Sequence, residues 1–79
     1  MNIVAMIGKV VAVDTDLDTF DLEVGRESGM ASLDTFTVVS MHGPRMPMVG
    51  DRVMIEGRVR NIAGEAQIVA KVVEKLGRF

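Results

Sequence analysis

Gly50-Asp51-Arg52-Val53-Met54-Ile55-Glu56-Gly57-Arg58-Val59-Arg60 is the stretch on which the reading of this chain turns. After a Gly-Asp turn, Val53, Ile55 and Val59 fall on one side of an extended backbone. Arg52, Met54, Glu56, Arg58 and Arg60 fall on the other. Successive side chains of a strand point to opposite faces, so this two-residue period marks a strand with one face buried and one in water. Gly57 stands on the apolar side, where a side chain belongs, which predicts a sharp bend or the close approach of another backbone. An apolar row backed by three arginines suits a strand of a small barrel whose outside meets an anion.

Working outward, residues 2–13 are rich in Val and Ile and read as a long first strand, with Gly8 as a bulge or bend. Asp14-Thr15-Asp16-Leu17-Asp18 is a polar turn. Residues 19–24 alternate again, with Phe20, Leu22 and Val24 on one face and Thr19, Asp21 and Glu23 on the other. Residues 25–32 hold two glycines and two serines and read as a loop. Residues 33–41, with Thr35-Phe36-Thr37-Val38-Val39, supply a third strand. Two prolines and two glycines in residues 42–50 forbid a regular helix there. Residues 61–65 are a short hairpin connection, and residues 66–76 the last strand, their valines outweighing a tolerable helical pattern.

Five strands separated by turn signals describe an all-β fold, a small antiparallel barrel spanning residues 1–79 as one domain. The five-stranded Greek-key OB-fold barrel has this size, and an SH3-like barrel is the competitor. A long first strand with a central glycine favours the OB-fold, because that strand must bend to pair in both halves of the barrel. A chain of 79 residues buries only ~60% of the surface its unfolded form exposes. It has no cysteine to add disulfides, so sheet closure and oligomerisation are the remaining sources of stability. The net charge is −2 and the pI near 5.2, against the basic footprint usual for a nucleic-acid binder. Residues 1–13 lack a basic start and contain Lys9, so neither a signal peptide nor a membrane span is expected, and the cytoplasm is the expected setting.

Asn2-Ile3-Val4-Ala5-Met6-Ile7-Gly8-Lys9-Val10 resembles the first strand of the bacterial single-stranded DNA-binding protein family, which has the OB-fold, and residues 50–60 resemble its fourth. The segments Thr35-Phe36-Thr37-Val38-Val39 and 68–77 are similar to its third and last strands. Primosomal replication protein N, a smaller relative, is a second resemblance. The chain departs from the family in three places. The helix between strands three and four is replaced by a Pro- and Met-rich segment, so Met46, Met48 and Val49 are expected to plug the barrel end. The long fourth-to-fifth hairpin that wraps DNA is cut to residues 61–65. Gly77-Arg78-Phe79 carries none of the acidic tail that recruits a replication protein partner.

The resemblance implies binding of single-stranded DNA, or RNA, without sequence preference, in replication, recombination or repair. It also implies self-association to a dimer or tetramer through the first strand, with Asn2, Val4 and Met6 as interface residues. Candidate nucleic-acid contacts are Lys9, Arg26, Phe36, Arg52, Arg58 and Arg60. Arg58 and Arg60 share an outward face beside the hairpin, while Arg45 is a further basic candidate. Of the three aromatic residues, Phe20 alternates with Leu22 and Val24 and belongs to the core, and Phe79 is terminal. Phe36 is the stacking candidate, although a slip of one residue would carry it from the outer face to the core. Asp21 and Glu23 point outward on the strand that lines an OB groove and would repel phosphate. They favour an alternative, an OB-fold adaptor that recognises a protein, as does outward-facing Met54.

The run Asp14-Thr15-Asp16-Leu17-Asp18 begins like a calcium-binding loop, but the sixth and twelfth positions are Thr19 and Gly25 rather than glycine and glutamate. His42 has no cysteine or second histidine to share a metal, and Ser28 and Ser32 have no base at a recognisable spacing. No metal site, cofactor or enzyme activity is expected.

Overall fold

A computed structural model describes residues 3–25, 33–40 and 46–78. Five strands follow in order: β1 Ile3–Asp14, β2 Thr19–Gly25, β3 Leu33–Ser40, β4 Asp51–Ile62 and β5 Glu65–Arg78. They close into a barrel in the order β1-β2-β3-β5-β4, the order of the OB-fold. The expectation of a wholly antiparallel barrel needs correction, because β3 pairs with β5 in parallel. The reason is geometric. A closed ring with an odd number of strands cannot alternate in direction all the way round, so one junction must be parallel. No helix occurs among the described residues; 41–45 lie outside them.

β1 is long because it serves both halves of the barrel. Residues Ile3 to Lys9 pair with β4, and Lys9 to Asp14 pair with β2. Gly8 marks the crossing: a Cβ there would sit 2.5 Å from the Glu23 carbonyl oxygen and 2.9 Å from Leu22 Cγ. The glycine thus serves the close approach of a second backbone, and the register shift expected as a bulge lies further on, between Val10 and Ala12. The β1–β2 turn is organised by Asp14, whose Oδ1 accepts the backbone N–H groups of Asp16 (3.0 Å) and Leu17 (3.2 Å). That is a self-contained polar turn, as its sequence implied.

The core is a single cluster of Val10, Phe20, Leu22, Val38, Val53, Ile55, Ile68 and Ala70. Val53 and Ile55 alternate inward on β4 as their pattern required, and Phe20 is 1% exposed. At Gly57 the β5 backbone lies where a side chain would stand. A Cβ on it would overlap the backbone carbonyl of Val69 and lie 2.8 Å from Ala70 Cα. Opposite this contact the register slips, so that Glu56 faces Val72 and Gly57 faces Ala70, leaving Lys71 without a residue across from it. Bulges of this kind increase local twist, in a strand that holds β4 on one edge along its length and β3 on the other at Gln67 to Ala70. At the barrel end Met46 packs against the core, but Met48 and Val49 are 63% and 54% exposed. The expected three-residue plug is thus corrected to Met46 together with buried Pro47.

Asp51 ties that end shut. Its Oδ2 accepts the Met48 N–H at 2.9 Å, and Lys75 Nζ and Arg78 Nε each approach Oδ1 to 3.6 Å. The Met48 hydrogen bond first, and then the two cations, hold this carboxyl below its ordinary value against the opposing effect of desolvation. A carboxylate whose pKa is lowered on folding contributes stability in full above about pH 4, and loses it as pH falls through the lower folded value. Asp51→Asn is expected to lower the melting temperature at pH 7, with the gap from wild type shrinking as pH falls toward about 3. A gap that stays constant with pH would contradict this.

Two substitutions test the backbone logic. Gly57→Ala places a methyl group against backbone that cannot rotate away, and is expected to cost about 3 kcal/mol or more in urea unfolding. The β4–β5 hairpin turns on Ala63 (φ 51°) and Gly64 (φ 83°), the two positive values of a type I′ turn. Ala63→Asn suits that geometry better and is expected to stabilise by about 0.5–1 kcal/mol.

Candidate nucleic-acid interface

The strand registers fix which side chains share the outer surface. Across β2, β3, β5 and β4, one row reads Asp21, Thr37, Gln67, Arg60. The next row reads Thr19, Val39, Val69, Arg58 and continues to Ile3 on β1. Arg58 and Arg60 are both exposed. Two residues along a strand separate them by about 7 Å. Arg60 Nη2 donates to Gln67 Oε1 at 3.5 Å.

Lys71, the extra residue of the β5 bulge, joins this surface. With Arg58, Glu56, Gly57, Ile3 and Val72 it lines a shallow groove of about 190 Å³. Sequence reasoning missed it. Strict alternation from Ile68 and Ala70 would send Val72 inward, yet the bulge moves Val73 against the core and leaves Val72 exposed. Only the glycine across the ladder at position 57 hinted that register is lost here.

The other candidates are placed differently. Lys9 and Arg52 are register partners on the outer face, and Lys9 also faces Glu23. Six residues of β4 put Arg52 about 20 Å from Arg58, so the structure gives two separated basic pairs rather than one stripe. Phe36 lies opposite buried Leu22 and packs against the core cluster. Its expected outer-face position is corrected, since residues directly across an antiparallel ladder point to the same side. Val4 and Met6 are likewise half-buried and turned inward, opposite Gly57 and Ile55. The outward residues of that segment are Ile3, Ala5 and Ile7, with Ile3 52% and Ile7 47% exposed. Both rows of early β1 are apolar, so composition could not tell them apart. Asn2, Arg26, Ser28, Ser32, Met41, His42, Arg45 and Phe79 lie outside the described residues.

Charge is divided between the two sides of the barrel. Residues 3–25 carry one cation against five carboxylates, and residues 46–78 carry six cations against four. Asp21 and Glu23 face outward on β2 as expected, with Thr37 Oγ1 donating to Asp21 Oδ1 at 3.2 Å. The outer surface of β2 is therefore acidic and that around Arg58, Arg60 and Lys71 basic. Among the described residues no cluster of carboxylates and histidine is arranged to hold a metal.

No protein-family model matches the chain, and no curated protein matches it in sequence. Among solved structures, it is similar to the N-terminal domain of PriB protein from Thermoanaerobacter tencongensis, which is dimeric. The two share 25% identity at a TM-score of 0.67, over 98% of each chain. The chain is thus an OB-fold barrel, and its resemblance to the single-stranded DNA-binding proteins and their smaller primosomal relatives holds across the fold from β1 to β5.

Proposed function

We propose that this protein binds single-stranded DNA without marked sequence preference, as a homo-oligomer, in replication, recombination or repair. The observation that carries the reading is the outward set Arg58, Arg60 and Lys71 around the β4–β5 contact of an OB barrel. The PriB likeness over nearly the whole chain supports it. With Phe20 buried and Phe36 turned inward, no aromatic platform lies on the described outer surface. Binding therefore rests on phosphate contacts, which are blind to base identity and weaken steeply with salt.

Self-association has its own support. From Ile3 to Gly8, β1 pairs with β4 on one edge, while pairing with β2 begins only at Lys9. An edge with no strand partner among the described residues is a template for a second chain, and the PriB domain is dimeric. A dimer would double the basic surface of an otherwise acidic protein. The absence of cysteine fits a cytoplasmic setting.

A fluorescence-anisotropy titration with labelled oligothymidine tests the reading. Saturable binding at low salt is expected, weakening as salt rises. The Arg58→Ala/Arg60→Ala double change is expected to weaken it about tenfold, or ~1.4 kcal/mol. It should also flatten the log–log salt slope by about 1.4 per engaged protomer, since each phosphate no longer neutralised on a single strand removes ~0.7. No binding of the wild type at low salt would remove the proposal. Light scattering should give a mass of at least two chains.

The acidic face carries the second reading. Asp14, Asp16, Asp18, Asp21 and Glu23 cluster on the β1–β2 side, which favours an OB-fold adaptor for a basic protein surface. Such an adaptor would keep its partner in the Arg58/Arg60 double variant.

A further inference from the structure

We infer that the nucleotide strand runs over the outer face of β4 and β5, on Arg60, Arg58 and Lys71, and not across the β2–β3 face that lines the usual OB groove. The inference rests on single-stranded DNA being the ligand and specifies where it lies. Three observations lead to it.

Charge comes first. A strand crossing β2 and β3 would meet Asp21 and Glu23, with Asp14 at the end of the neighbouring β1. Its phosphates would be repelled by these carboxylates where it crosses β2. Over β4 and β5 it meets three cations within a few residues. Among the described residues neither Arg58 nor Lys71 is engaged in an ion pair.

The second observation is shape. The groove at the bulge is floored by the Gly57 backbone and walled by exposed Ile3 and Val72, with Arg58 and Lys71 beside it. Cations next to apolar side chains match a nucleotide unit, which carries phosphate on one side and sugar and base faces on the other. Gly57 thereby has two effects. It lets β5 approach, and the bulge this produces brings Lys71 beside Arg58.

Spacing is the third. Arg58 and Arg60 project from one face about 7 Å apart, a separation that suits successive phosphates of an extended strand. The carboxylate that opposes this path is Glu56, on the same groove. Its position gives the inference a test with opposite signs.

Oligothymidine titrations over a series of salt concentrations, on wild type, Lys71→Gln, Glu56→Gln and the Asp21→Asn/Glu23→Gln double variant, decide the matter. All four positions are on the outer surface, and circular-dichroism melts verify that each variant folds. Lys71→Gln should weaken binding several-fold and flatten the salt slope by about 0.7 per engaged protomer. Glu56→Gln should tighten it, and Asp21→Asn/Glu23→Gln should leave affinity and slope unchanged. Unchanged binding by Lys71→Gln, or marked tightening by Asp21→Asn/Glu23→Gln, would overturn the path while leaving DNA binding intact. Failure of the wild type to bind at low salt would overturn both.

Discussion

The close approach of two backbones at Gly57 is the constraint on which the rest of this barrel depends. β5 pairs with β4 along nearly its whole length and must also reach β3. It can do so because position 57 has only hydrogen where a methyl group would strike the Val69 carbonyl. The register slip that accompanies this approach adds twist, turns Val73 toward the core and leaves Lys71 outside. Closure of the barrel and composition of its basic surface thus follow from one missing side chain. Gly8 plays the matching part on the other side, where β1 passes from β4 to β2.

The charge distribution resolves an apparent conflict between an acidic pI and the proposed affinity for a polyanion. Net charge governs solubility and long-range repulsion, whereas binding depends on the local field where the ligand lies. Here residues 3–25 carry a net charge of −4 and residues 46–78 a net charge of +2. A protein of this kind can be acidic overall and still present a phosphate surface. It would also orient its ligand, since the acidic face excludes the alternative path.

Much of this was legible in the sequence, and the parts that were not have physical reasons. Val53, Ile55, Gly57 and Val59 mark the inward row of β4 because an arginine-bearing row stands beside it, so the two faces differ chemically. In residues 3–7 both rows are apolar, and nothing local distinguishes Ile3 and Ile7, which face out, from Val4 and Met6, which face in. Phe36 suffered from the same two-fold period, since one step along a strand inverts the face and a threonine stands on either side of it. The parallel β3–β5 pairing is non-local and leaves no mark in the pattern of either strand. Bulges are equally silent: Val11 looks like any strand valine, and Lys71 like any lysine between apolar residues. Only the glycines, where a backbone comes near, left a trace.

Backbone amide shifts in a titration of the folded protein with oligothymidine give the most direct measurement of where the strand lies. Changes concentrated at Arg58, Arg60, Gln67, Val69 and Lys71 are the expected result, with Asp21, Glu23, Thr35 and Thr37 little affected. Changes concentrated on those β2 and β3 residues, with β4 silent, would contradict it.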